Sequence, residues 1–315
     1  MDPHKDDQPA VGDQPATTCY RHTDRVTGLR CSRCGKPICG ECAVPAAVGQ
    51  LCPDDAQDGP RVRRLGGRGM PVVTWSLLAI NTILLLVEVA LSGNGIGGLI
   101  EPSSSALCRL GALNAPAVIE DGQYWRLLTV MVLHAGIIHW AFNSYALFIF
   151  GPTLETLLGK VRFLALYIGC GFAASGASLL ISHTQLGVGA SGAIFGLLGA
   201  LVAFFYRRRD VGGRGALQNL LLVLALNLFI GARVANVDNV AHIGGFLAGL
   251  LAMGLLEVMP ARLGGLTARG GLGGGGAGNR RLFQGLALAV PFLAGIALVV
   301  AAFGTVPTGP TCAGV

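Results

Sequence analysis

The sequence predicts an all-α, multi-pass membrane protein with a small cysteine-rich module ahead of its first apolar stretch. Three observations carry this. The 315 residues are 52% hydrophobic and only 13% charged, where water-soluble domains carry about 25% charged residues. Mean hydropathy is +0.60. The apolar residues gather into seven stretches, about 72–91, 137–158, 163–182, 190–206, 216–232, 240–259 and 285–303, each near the ~20 residues that cross a bilayer as a helix.

Residues 1–18 are polar and acidic and read as disordered. No short apolar core with a cleavage site follows them, so the first span is expected to act as an internal signal-anchor. Residues 19–55 form the cysteine-rich module, and 56–71 a basic Gly/Arg linker. Residues 72–259 read as a six-helix membrane domain. The fourth and fifth stretches are short, which is tolerable where the ends of a helix meet water or protein. The connection 92–136 is long for a loop; its apolar patches and "YWR" (124–126) predict that it is partly embedded in the membrane interface. A Gly-rich loop, 260–284, separates a seventh helix, 285–303, from the other six, and 304–315 form a tail.

Lys and Arg set the orientation. Arg61, Arg63, Arg64 and Arg68 precede the first span, and Lys160 and Arg162 follow the second. Arg207, Arg208, Arg209 and Arg214 follow the fourth, and Arg262, Arg269, Arg280 and Arg281 the sixth. The opposite loops hold Arg109, Arg126 and Arg233. This places the N-terminus and the Gly-rich loop in the cytoplasm and the C-terminal tail outside, with the plasma membrane as the expected location. The same asymmetry accounts for the pI of about 9.0, so no nucleic-acid partner is inferred.

The cysteine-rich module repeats one spacing: Cys19-x2-His22, Cys31-x2-Cys34, Cys39-x2-Cys42 and Cys52-x2-Asp55. Paired thiols and imidazole at this spacing predict structural zinc. In a cross-brace, the first and third pairs hold one ion and the second and fourth the other. The first site is complete. The second depends on Asp55, with Asp54 or a water as the alternative fourth ligand. A cytoplasmic location keeps these thiols reduced. So short a segment buries little core, so metal supplies most of its folding free energy. The module resembles a B-box-type zinc finger, which implies a cytoplasmic protein partner.

Polar groups inside spans are costly and mark function. His134, His139 and Asn143 open the second stretch, Ser191 opens the fourth and His242 the sixth. All fall at a similar depth, a few residues below the outer surface. His139 and Asn143, four apart, share one helix face. A serine hydroxyl becomes a nucleophile when a base takes its proton, and His242 is the candidate base. His139, Asn143 and the backbone N–H of Ser191 are candidate donors for an oxyanion. "GASG" alone equally describes a small-residue helix-packing surface; the combination of Ser, two His and Asn on three helices favours chemistry. Glu88 and Glu155 read as structural, Phe195 as packing beside His242, and Cys170 as a buried small residue. Cys108 and Cys312 fall on the same outer side and could pair, which the sequence leaves open.

This ordered set resembles the rhomboid family of intramembrane serine proteases. It comprises "YWR", His134-x4-His139-x3-Asn143, "GPTLE" (151–155), "GASG" and "AHIGG" followed by Gly249. The resemblance covers about 72–259. It implies a six-helix rhomboid-like core with a Ser191–His242 dyad lacking a third acidic member. It implies oxyanion contacts from His139, Asn143 and the Ser191 N–H, and no cofactor for catalysis. The substrates it implies are transmembrane segments of membrane proteins, with helix-weakening residues near the cut and a small residue before it. The first loop and fifth span are implied to gate entry. The family often has Tyr where this chain has Phe195. The seventh helix and zinc finger resemble a bacterial subgroup. Two other readings compete: a non-catalytic rhomboid-like escort of membrane proteins, which would usually lack the serine or histidine, and a histidine proton relay, for which no repeat or paired broken helices speak.

Overall fold

Backbone polar groups facing lipid must be satisfied within their own segment, and the apolar stretches accordingly fold as helices. The computed structural model describes residues 17–32, 34–45, 50–58, 70–182, 186–211, 213–234, 237–267, 276–303 and 312. Most of the expected disordered start, the linker and the C-terminal tail lie outside the described residues. The chain divides into two compact units, Met1–Leu65 and Gly66–Val315.

In the first unit, β1 (Val44–Pro45) pairs antiparallel with β2 (Gln50–Leu51), followed by α1 (Pro53–Asp58). Its buried core is Cys19, Cys31, Cys39, Cys42 and Cys52 around Ile38. A core of thiols with a single aliphatic side chain supplies little hydrophobic stabilisation.

The second unit begins with α2 (Val72–Ser92), which Gly93 ends in a left-handed conformation. The first loop folds as α3 (Gly97–Ile100), α4 (Ser104–Leu110), α5 (Ala115–Ile119) and α6 (Arg126–Thr129), with a 3-10 turn at Val130–Val132. Ser103 and Asn114 cap α4 and α5 through their side chains. The long helices are α7 (Ile137–Leu158), α8 (Lys160–Ile181), α9 (Ser191–Tyr206), α10 (Arg214–Gly231), α11 (Asn239–Thr267) and α12 (Gly276–Ala302). Among the described residues five helices are long and apolar enough to cross a membrane, six when Arg126–Val132 and Ile137–Leu158, bent by 90°, count as one span. The chain is a multi-pass membrane protein.

The expected cytoplasmic loop at 260–284 is shorter than its composition suggests. Helix α11 continues to Thr267 and α12 begins at Gly276, leaving 268–275 outside the described residues. Helical hydrogen bonds do not stop where hydrophobicity stops, because the backbone pattern is equally closed in water.

Helix α9 has 16 residues, about 24 Å at 1.5 Å per residue, short of a hydrocarbon core of about 30 Å. It is shielded by packing against α7, α8, α10 and α11, with every residue from Gly192 to Ala203 buried. Its closest neighbour is α11, which runs parallel to it. A Cβ on Gly245 would collide with the Gly192 carbonyl oxygen, and one on Gly249 with that of Gly196. Glycine at these positions lets the two backbones touch. On the far side of α8, Gly169 meets Pro291 and Phe292 of α12, and Gly176 meets Gly295, so the seventh helix packs on the core.

The two intramembrane glutamates are structural. Glu155 of α7 accepts the Val73 and Thr74 N–H groups at 3.0 and 2.8 Å and the Thr74 hydroxyl at 2.9 Å. The otherwise unpaired N-terminus of α2 is thereby satisfied by a carboxylate that also complements its dipole. Glu88 accepts the His134 N–H at 2.9 Å.

Candidate active site

Ser191 is the first residue of α9, and no side chain caps that helix. The N–H groups of its first turn therefore face a position where an acceptor is favoured. The chain enters through Gly189 at φ +130°, a backbone conformation that suits glycine. A Cβ there would sit 2.9 Å from His139 Nε2, 2.8 Å from His139 Cε1 and 3.4 Å from Ser191 Oγ. Gly189 thus separates the serine hydroxyl from the imidazole of α7 by little more than a methyl group.

His139 has a defined tautomer. Its Nδ1 accepts the Ala135 N–H at 3.2 Å, so the proton of the neutral ring lies on Nε2. That N–H is the atom beside Gly189. Asn143 donates from Nδ2 to the His139 carbonyl at 2.9 Å, leaving its second amide hydrogen for another acceptor. His134 packs edge-on against His139 with centroids 5.5 Å apart and is itself fully buried. It stands behind His139.

His242 reaches the same level from α11. The pairing of Gly192 with Gly245 and Gly196 with Gly249 keeps a constant offset along two parallel helices, and a Cβ on Gly192 would lie 3.8 Å from the carbonyl oxygen of Ala241, the residue before His242. Its ring lies flat on Phe195, centroids 4.1 Å apart and planes within 4°, as expected from the sequence. Among the described residues nothing hydrogen-bonds its Nδ1. Asp238, one turn earlier, is engaged elsewhere. It accepts the Ala241 N–H at 2.9 Å and the Ser178 hydroxyl, capping α11 and tying it to α8. Cys170 is fully buried against Gly196.

Sequence reasoning missed the framework around this entry. Arg126, counted above as a loop charge, is only 5% exposed and donates to the Cys108 and Ala112 carbonyls, both at 2.9 Å. Leu113 and Gly187 exchange two backbone bonds of 2.8 Å, and the Gly189 N–H donates to Val130. The sequence also leaves open whether Cys108 and Cys312 pair. They form a disulfide, with Cα atoms 5.5 Å apart across 204 residues of sequence. Sequence distance hid this contact.

In the first unit, Cys19, His22, Cys39 and Cys42 converge, as do Cys31, Cys34, Cys52 and Asp55, and each group could hold a metal ion. His22 Nδ1 lies 3.3, 3.4 and 4.0 Å from the sulfurs of Cys39, Cys42 and Cys19. Cys34 and Cys52 sulfurs are 3.7 Å apart, and Asp55 Oδ2 lies 3.0 and 3.2 Å from Cys31 and Cys52. Edges of about 3.3–3.8 Å are those of a tetrahedron with metal–ligand bonds of about 2.0–2.3 Å. Without a cation the thiols are in conflict: burial, then the neighbouring thiols, push Cys42 up to about 11, and the Asp55 hydrogen bond pushes Cys34 up to about 12, while for Cys19 and Cys39 burial is outweighed by hydrogen bonds that hold them below the ordinary thiol value. A bound dication removes that conflict.

Comparison with known proteins agrees with this architecture. Residues 121–257 match the Rhomboid domain family. The chain is 36% identical to Rhomboid protease GluP of Bacillus subtilis over 228 residues, 71% of this chain and 40% of that protein. It is 41% identical to RHOMBOID-like protein 6, mitochondrial, of Arabidopsis thaliana over 161 residues, 50% of this chain and 52% of that protein. Against the Putative rhomboid protease YdcA of Bacillus subtilis it is 37% identical over 134 residues, 42% of this chain and 67% of that protein. The chain thus spans about half the length of the first two relatives. With the motif residues at the start of a short helix buried among α7, α8, α10 and α11, the chain belongs to the rhomboid family.

Proposed function

We propose that this protein is an intramembrane serine endopeptidase that cleaves transmembrane segments through a Ser191–His242 dyad. The observation that carries the reading is the His139 tautomer, which directs an Nε2–H donor at the entry to Ser191. An imidazole donor beside a serine at an uncapped helix start is the arrangement an acyl-transfer oxyanion requires.

Ser191 Oγ attacks the scissile carbonyl carbon as His242 takes the hydroxyl proton. The oxyanion is held by the Ser191 N–H, the His139 Nε2–H and the second Asn143 amide hydrogen. Collapse expels the amine, which receives the proton from His242. Water, activated by His242, then releases the acyl group and restores Ser191. Phe195 holds the imidazole plane through the cycle. Helix α9 being short, its start lies below the outer surface, so water reaches Ser191 from that face.

The Cys108–Cys312 disulfide supports the topology. It joins residues on one side of the membrane, so the chain between them crosses an even number of times, and six helices from α7 to α12 satisfy this. With the basic loops inside, the N-terminus is cytoplasmic and the disulfide is exoplasmic, in the plasma membrane. The two metal groups of the N-terminal unit hold structural zinc, with Asp55 completing the second.

The test is mass spectrometry after a fluorophosphonate probe, beside cleavage of a single-span model substrate. Wild type should carry one adduct on Ser191 and cleave; Ser191→Ala and His242→Ala should do neither while remaining folded. Full cleavage by Ser191→Ala would falsify the mechanism.

A further inference from the structure

We infer that the Cys108–Cys312 disulfide is a permanent staple that locks the seventh helix onto the first loop, and through that loop holds the turn carrying Ser191. The role for Ser191 rests on the function proposed above; the staple itself does not.

Two further described contacts join the C-terminal end of the chain to the first loop. Cys312 N–H donates to Asn114 Oδ1 at 3.3 Å, the same oxygen that caps α5. Phe303, just past α12, packs on Tyr124 with ring centroids 6.1 Å apart. From Cys108 a continuous set of bonds leads to the active site. The Cys108 and Ala112 carbonyls share the Arg126 guanidinium. The next residue, Leu113, exchanges both backbone bonds with Gly187. Two residues on, Gly189 donates to Val130, and Ser191 begins its helix. Residues 187–189 are therefore hung from the loop that the disulfide secures. A turn placed by hydrogen bonds alone shifts easily, and a displacement of about 1 Å at a reacting group costs on the order of a hundredfold in rate.

Burial decides between a staple and a switch. Cys108 and Cys312 are 7% and 6% exposed, and thiol–disulfide exchange needs in-line access of a thiolate to sulfur. The bond is therefore made once, during folding. The two thiols lose two protons and two electrons and join. Both are taken by the disulfide of an exoplasmic thiol oxidoreductase, which is released as its dithiol after a mixed-disulfide intermediate.

The experiment uses the full-length protein purified from membranes, with Cys108→Ser, Cys312→Ser and the double variant. Peptides would be mapped without reductant, backbone hydrogen exchange followed over 106–118 and 186–190, and fluorophosphonate labelling of Ser191 timed. Wild type should show the Cys108–Cys312 linked peptide, resistant to mild thiols and opened by a phosphine in denaturant. The three variants should exchange about tenfold faster in both segments, with α8 and α11 unchanged, and label Ser191 about tenfold more slowly. Free thiols at both positions in wild type would overturn the inference, as would variants whose exchange in both segments matches wild type. If Ser191 is unlabelled in every form, the enzyme reading fails while the exchange data still decide the staple.

Discussion

Phe195 and His242 form a stacked pair across α9 and α11, centroids 4.1 Å apart and ring planes 4° from parallel. Three residues earlier on α9, Gly192 touches Gly245, three residues after His242 on α11. The two contacts act together: glycine brings the backbones into register and the aromatic face then fixes the imidazole plane.

Removing that face should impair chemistry more than binding. Phe195→Ala forfeits a stacking contact worth about 1 kcal/mol, so kcat should fall about fivefold to tenfold with KM little changed. Phe195→Tyr keeps the face and should stay near wild type. Steady-state cleavage of a model substrate separates the two effects; a rise confined to KM would mean that Phe195 lines the substrate path instead.

The glycine register makes opposite predictions for two glycines of one helix. Gly245→Ala drives a methyl into the Gly192 carbonyl, a backbone atom that cannot step aside. The cost should be roughly 1–3 kcal/mol of stability, with loss of Ser191 labelling as α9 and α11 part. Gly254→Ala meets nothing within 4 Å and should be neutral or stabilising by up to about 1 kcal/mol. Thermal unfolding in detergent reads both signs.

Glu155 anchors α2 by three hydrogen bonds. Glu155→Ala leaves buried donors without an acceptor and should cost roughly 2–4 kcal/mol. Glu155→Gln keeps one acceptor oxygen but turns an NH2 group toward N–H donors, so it should rescue only part. The measurement is unfolding midpoint together with probe labelling per folded molecule. Because the loss is structural, the labelling rate of the surviving folded fraction should be unchanged.

Metal analysis of the full-length protein should find two zinc ions per chain. His22→Ala should lose one and Asp55→Ala the other. Chelation should make residues 17–58 protease-sensitive, since their core is mainly thiol ligands. The sign with pH follows from the thiols. With no cation Cys42 and Cys34 hold their protons to about 11 and about 12, so metal binding displaces protons and acid reverses it. Zinc content should be full at neutral pH and fall as pH drops. A constant content down to strongly acid pH would point to ligands other than these thiols.

What the sequence determined by itself was held within continuous segments, apart from the helical ends that α11 and α12 extend into the Gly-rich stretch. Apolar run length marked the long helices, the Cys-x2 spacing marked the metal pairs, and Ser191 was readable as a helix start because four glycines and no charge surround it. Helical spacing put His139 and Asn143 on one face, and the matching depth of Ser191, His139 and His242 on three runs pointed to one site. Contacts between distant segments were decided by tertiary structure. Arg126 reads as a surface charge until α4 supplies the Cys108 carbonyl and the residues just after it the Ala112 carbonyl. The proton on His139 Nε2 depends on the break in the chain before α7 that turns the Ala135 N–H onto Nδ1. Cys108 and Cys312 meet across 204 residues of sequence, at a first loop that Phe303 at the end of α12 also reaches. The reason is physical: periodicity and composition act along the chain, whereas helix register and loop docking minimise the free energy of the whole packed assembly, and no local pattern encodes that minimum.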